Sequence, residues 1–279
     1  MNIIQIYKQF PTEESCLKHL EKVRWEGRPT CPYCKSQKQT PMEKEFRYHC
    51  NTCNTSYSVT VGTIFHKTHL DLQKWFLAIS LILNAYKGVS ARQLARDLEV
   101  NKNTAWYMAM RVRNAMIEQR ELLTGVVEMD ETYIGGKRKG PRGRGALGKT
   151  PVVGMVARGG KIVAKRVFKV NAKVLTSLVR EKVNLSEATM MTDEFKGYTR
   201  LKNFIPHKTI NHSKWYVDGD THTNTIEGFW SLLKRGIVGQ FHKVSAHRLP
   251  KYIDEFCFRY NHRGETDVFE TLLLKSVTL

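Results

Sequence analysis

Two CxxC pairs separated by fifteen residues, a helical run between about 71 and 118, and a change to extended patterning from Gly125 predict a multidomain chain of mixed α+β/α/β class. Three parts follow: residues 1–66 as a lead-in helix and small four-cysteine zinc ribbon, 67–123 as a helix-turn-helix unit, and 124–279 as a mixed-sheet domain. At 41% hydrophobic residues the chain can bury a core, which excludes global disorder. Its 45 Lys+Arg against 26 Asp+Glu leave a net charge of +19 along the whole length, the signature of a nucleic-acid partner rather than a small neutral ligand.

Residues 1–8 hold no long apolar run, so no secretory signal is expected. The most apolar stretch, 75–83, is far below the ~20 residues of a membrane span. A cytoplasmic, nucleoid-associated protein with no membrane partner is the expectation. Six cysteines then sit in a reducing compartment, four in a metal pattern and two, Cys16 and Cys257, single.

Pro11 and Thr12 open a helix over 13–23, with Cys16, Leu17, Leu20 and Val23 spaced for one buried face. Cys31-Pro-Tyr-Cys34 and Cys50-Asn-Thr-Cys53 follow, each able to present two thiolates from one tight turn to a tetrahedral Zn²⁺. Four thiolates leave no open coordination position, so this zinc is structural. Phe46, Tyr48 and Tyr57 alternate with polar residues as short ribbon strands do.

Residues 71–86 read as a helix apolar nearly all round. Ser90 and Gln93 form a capping box for a second helix, with Leu94, Ala95 and Leu98 inward. Glu99-Val100-Asn101 turns into a third helix, capped by Asn101 and running to about 118. A helix-turn-helix of this kind enters the major groove through the start of its second helix. Lys102, Asn103, Thr104 and Trp106 are the groove-facing candidates, with Arg111 and Arg113 near phosphates.

From Gly125 the pattern is extended: a strand Val126–Asp130, strands 151–157 and 162–170 about a Gly159-Gly160 turn, a helix from Asn171 to about Val183, a strand 188–192 ending at Asp193, and a short strand near 208–211. A last helix covers Thr221–Arg235 and carries Asn224, Glu227 and Lys234. Between the first two strands, a Gly-rich loop holds Lys137, Arg138, Lys139, Arg142 and Arg144, read as a phosphate-contacting arm. Three strands, a helix, two strands and a closing helix is the element order of a ribonuclease-H-like fold. In it, one Asp ends the first strand, another follows the fourth, and a helix supplies a third group. Such a trio can hold two Mg²⁺ ions about 4 Å apart for in-line phosphoryl transfer.

Asp130-Glu-Thr-Tyr-Ile-Gly-Gly-Lys, Thr192-Asp193-Glu-Phe-Lys-Gly-Tyr and His222-Thr-Asn-Thr-Ile-Glu-Gly-Phe-Trp-Ser-Leu-Leu-Lys together resemble an insertion-sequence transposase family. Its members join an N-terminal zinc ribbon to a DDE-type catalytic domain. The tail Tyr252-Ile-Asp-Glu-Phe-Cys-Phe-Arg-Tyr-Asn261 resembles that family's closing helix, and the resemblance covers nearly the whole chain. It implies Asp130 and Asp193 as ligands of Mg²⁺ or Mn²⁺ and Lys234 as a DNA contact. Glu227 follows Asp193 by 34 positions, close to the spacing common in DDE transposases. Members are described with Asn or Glu as the third group; here Asn224 and Glu227 are both present, and the two could instead form a capping box. Glu227 is favoured as ligand because a carboxylate neutralises Mg²⁺ better than an amide. Glu128 shares a strand face with Asp130, Glu131 and Glu194 point elsewhere, and His222 lies within possible reach. The expected activity is DNA transposition: binding of terminal inverted repeats, metal-dependent cleavage and strand transfer, by at least a homodimer on double-stranded DNA. A regulator with a decayed catalytic domain and a nuclease that cuts without joining are the rival readings.

Overall fold

The computed structural model describes residues 1–118, 121–135, 148–210 and 222–278. It divides into two compact units, residues 1–116 with 265–279, and residues 117–264.

The first unit begins with α1 (Ile3–Gln9) and α2 (Glu13–Trp25), the latter capped by Thr12, whose hydroxyl accepts from the Ser15 N–H. Cys16 and Leu20 are fully buried on α2, as the periodicity predicts. β1 (Gln39–Met42), β2 (Arg47–Cys50) and β3 (Thr55–Tyr57) form an antiparallel meander. Trp25, ending α2, packs edge-on against Tyr48 and Tyr57 at centroid distances of 5.3 and 5.9 Å, which seats the meander on the helix. α3 (Leu72–Asn84) buries Trp75, Phe76 and Ile79. α4 (Ala91–Asp97) and α5 (Lys102–Ala115) carry the predicted caps: Ser90 accepts from the Gln93 N–H, and Asn101 from the Asn103 N–H. Glu99 makes the turn between them in the left-handed region, at φ 51°.

In the second unit, β4 (Leu123–Ile134), β5 (Thr150–Ala157), β6 (Ile162–Arg166), β7 (Val183–Asp193) and β8 (His207–Ile210) form a sheet in the order β6-β5-β4-β7-β8. β4 is antiparallel to β5 and parallel to β7, and β7 is parallel to β8. With α6 (Ala172–Lys182) crossing from β6 to β7, this is the ribonuclease-H-like topology the element order predicts. One sheet face packs Val127, Met129, Val153, Met155 and Met190 against Leu175 and Val179 of α6. The other faces α7 (Asn224–Arg235), whose Ile226, Trp230 and Leu233 are buried as one stripe. α8 (Leu249–Asn261) lies against β6. Asn261 clamps that edge strand like one more strand residue: its Oδ1 accepts from the Ile162 N–H at 2.7 Å, and its Nδ2 donates to the Ile162 carbonyl at 3.1 Å.

The chain then returns to the first unit as α9 (Val268–Val277), against α2, α3 and α5. Grouping by sequence places these residues with the sheet domain instead. Phe269, Leu272 and Leu273 are buried, and Phe269 meets Phe76 at 5.8 Å, so the apolar partners of this helix lie in the first unit.

Candidate active site and zinc centre

Each knuckle of the ribbon turns through a left-handed residue just after its second cysteine, Lys35 at φ 63° and Asn54 at φ 53°. The sulfur atoms of Cys31, Cys34, Cys50 and Cys53 all lie within 4.8 Å of one another, with Cys31–Cys53 at 3.7 Å and Cys34–Cys50 at 3.5 Å. Zn–S bonds near 2.3 Å in a tetrahedron require sulfur separations of ~3.8 Å, so the set fits structural Zn²⁺. In the metal-free cluster the thiols share protons: the backbone N–H groups of Cys53 and Thr52 push Cys50 down to about 6, while hydrogen bonds with the other cysteines accompany a rise of Cys34 to about 12, so a metal must displace protons as it binds.

Asp193 ends β7, whereas Asp130 lies within the neighbouring β4, which runs four residues beyond the strand end expected at Asp130. β4 and β7 pair Glu128 with Met191, and the same offset continued by two residues sets Asp130 beside Asp193. Burial raises the Asp130 carboxyl to about 7, helped by the neighbouring charges of Glu131 and Asp193. Two half-buried carboxylates, one of them destabilised as an anion, are a donor set that suits a hard divalent cation.

α7 is held over these strands by two contacts. Glu128, fully buried, accepts from Arg158 Nε at 2.8 Å, Thr225 Oγ1 at 2.9 Å and the Ile226 N–H at 3.0 Å, so a carboxylate stands beneath the positive end of the helix. Arg158 also donates to the His222 carbonyl at 2.9 Å, and His222 Nδ1 lies 3.2 Å from the Glu128 carboxylate. His222 thus belongs to the helix anchor. One turn further, Trp230 Nε1 donates to Asp130 Oδ2 at 3.0 Å. The indole lies on Gly154, the cross-strand partner of Asp130, where a Cβ would fall 2.6 Å from the ring.

Matches to known families fall on the two cysteine- and carboxylate-bearing regions: a transposase zinc-ribbon domain over residues 11–56 and an ISXO2-like transposase domain over residues 122–261. The chain belongs to the ISXO2-like transposase family. An uncharacterized protein in transposable element ISH50 of Halobacterium salinarum is 30% identical over 277 residues, which covers 90% of this chain and 92% of that protein. Among solved structures, the Mos1 strand transfer complex is similar at 13% identity and TM-score 0.31, over 72% of this chain and 74% of that one. A simian T-cell lymphotropic virus intasome in complex with PP2A regulatory subunit B56 gamma has the same identity and TM-score over 56% and 57%.

In this transposase Asp130, Asp193 and Glu227 do not form a tight cluster of ligand atoms. Glu227 is exposed on α7, and its Oε1 accepts from Thr223 Oγ1 at 3.0 Å. Among the described residues, the four cysteines are the one tight group of three or more metal-ligating side chains. The capping-box alternative does not form: Thr223 is the N-cap, Asn224 is the exposed first residue of the helix, and Glu227 falls one place beyond the box position. Lys234 is exposed two turns after Glu227. Glu131 accepts from the buried Tyr198 hydroxyl at 2.6 Å and its charge still acts on Asp130, against the expectation that it points elsewhere, while Glu194 is exposed.

On α5, Lys102 and Asn103 are exposed and Thr104 and Trp106 half-buried, while Arg111 donates to the His66 carbonyl at 2.9 Å. Arg113 is only 2% exposed and donates to Met110 Sδ, so it is a core residue and not a phosphate contact. Tyr107, exposed beneath the Arg111 guanidinium at 5.1 Å, joins this face although its sequence context does not single it out. Lys137, Arg138, Lys139, Arg142 and Arg144 lie outside the described residues. No described helix is long and apolar enough to cross a membrane. Glu128, Gly154 and Trp230 are what sequence reasoning missed; only the two-residue spacing of Glu128 from Asp130 hinted at any of them.

Proposed function

We propose that this transposase binds the terminal inverted repeats of an insertion sequence and catalyses divalent-metal-dependent DNA cleavage followed by strand transfer. The observation that carries the reading is the parallel register of β4 and β7, whose offset sets Asp130 and Asp193 side by side on neighbouring strands. Asp130, Asp193 and Glu227 would hold Mg²⁺ or Mn²⁺, with Asn224 as the rival third ligand. A bound pair of such cations supplies activation of the attacking oxygen and stabilisation of the leaving oxygen. Within the chain, Trp230 orients the Asp130 carboxylate, and Glu128 fixes the helix that presents Glu227. Lys234, on the same exposed face as Glu227, would hold a DNA phosphate.

Lys102, Asn103, Thr104 and Trp106 at the start of α5 would read the major groove, with Arg111 nearer the backbone. The loop cations Lys137, Arg138, Lys139, Arg142 and Arg144 would add phosphate contacts. Two DNA ends must meet for joining, so a homodimer or higher assembly is expected on DNA.

A strand-transfer assay with end-containing duplex and Mg²⁺ tests the reading. Wild type should join ends and Asp193→Asn should not. Cutting without joining would favour the nuclease reading, and end binding without either reaction the decayed regulator. Metal titration of Glu227→Gln against Asn224→Ala assigns the third ligand, since the true one should weaken binding more.

A further inference from the structure

A groove of about 450 Å³ lies on the sheet domain between α6 and the segment that follows β7. One wall is a polar stripe on α6 at i, i+3, i+4 and i+7: Lys173, Thr176, Ser177 and Arg180. That spacing keeps all four on one face, and the buried residues of the same helix, Leu175, Leu178 and Val179, occupy the other. The opposite wall brings Arg200 and Asn203, with Phe204 under the Arg180 guanidinium at 4.9 Å. Among the described residues, three cations, two hydroxyls and an amide line the groove, and no carboxylate does. The Thr176 hydroxyl oxygen is buried without a hydrogen-bond partner.

Its position is as informative as its chemistry. α6 packs on the face of the sheet away from α7, and it starts at the end of the sheet where β4 and β7 finish, because it runs antiparallel to β7. Arg200 stands seven residues after Asp193 on the chain that leaves the candidate active site. Lys173 and Arg180, seven residues apart, are spaced about 10 Å along the helix. A row of cations and hydroxyls leading away from the carboxylates, with no acid in it, suits a repeating anion better than a single small one.

We propose that this α6 groove is a second DNA contact, binding the phosphate backbone of a duplex as it leaves the active site, without reading its sequence. The proposal rests on the DNA transposase reading. Its cations act as phosphate contacts, Arg180 held in place by Phe204.

The test is binding of a fluorescein-labelled random-sequence duplex to the full chain across a salt series, without added divalent metal. The variant removes Lys173, Arg180 and Arg200 together as Lys→Gln and Arg→Gln. A control removes the same charge from Lys8, Lys18 and Lys22 on α1 and α2. Three lost phosphate contacts should make the slope of log K against log salt shallower by about two to three, with the control close to wild type. Circular dichroism on both variants should match wild type, since the replaced side chains are exposed. An unchanged slope, or an equal change in the control, would overturn the groove while leaving the transposase reading intact. No salt-dependent DNA binding by the wild-type chain would overturn both.

Discussion

Trp230 reaches Asp130 over a glycine. Its Nε1 donates to Asp130 Oδ2 at 3.0 Å while its ring rests on Gly154, the residue paired with Asp130 across the sheet. A methyl group at Gly154 would meet the indole at 2.6 Å, so the helix could not lie this close on any other residue. Gly154→Ala should therefore cost about 1–3 kcal/mol by overpacking and shift α7 away from the strand. Urea unfolding together with strand-transfer rates measures both effects.

Trp230→Phe keeps the apolar contact and removes one hydrogen bond to a proposed ligand. Outer-sphere partners of this kind are worth roughly 10- to 100-fold in metal affinity. Mg²⁺ or Mn²⁺ titration calorimetry should show that loss with little change in melting temperature. An unchanged affinity would make the bond structural only.

Asp130 carries a pH signature. Its folded carboxyl is raised to about 7, above the unfolded value near ~4, so protonation stabilises the metal-free fold at low pH. That contribution is complete below about 4 and is lost as pH rises through about 7. Without added Mg²⁺, wild type should lose melting temperature between about pH 4 and about pH 7 relative to Asp130→Asn, which has no proton to lose there, and little more above that. Metal binding should tighten over the same range and release a proton, readable as a buffer-dependent heat.

Glu128 is fully buried among donors, so removing its charge leaves Arg158 and the start of α7 without their acceptor. Glu128→Ala should cost about 3–5 kcal/mol, the scale for breaking a buried charge pair. Chemical denaturation reads this directly. A cost below about 1 kcal/mol would show that the anchor is not needed.

Removal of zinc should act on the ribbon. After chelation, hydrogen exchange should speed up across residues 31–57, because four thiolates then lose their common centre, while β4, β5 and β7 keep their protection. Cys50→Ser should lower bound zinc in the same way, measured by atomic absorption.

Most of the local structure is legible in the sequence. Thr12, Ser90, Asn101 and Asn171 cap the helices expected of them, since a cap is chemistry within three residues. The cysteine knuckles and the order of strands and helices follow equally from short-range spacing and periodicity. By itself, then, the sequence determined the ribbon, the helix-turn-helix, the ribonuclease-H-like order of elements and the strand-end position of Asp193, whereas the strand expected to end at Asp130 runs on to Ile134.

Tertiary structure decided which side chains meet across long stretches of chain. Glu128 and Ile226, or Asp130 and Trp230, lie about a hundred positions apart, and no periodic signal links them. Arg113 reads as a surface cation from its neighbours, yet the helix face it occupies is covered. α9 joined the first unit because its apolar face finds Phe76 there. Burial and pairing at a distance depend on how whole elements pack, and local spacing carries no record of that.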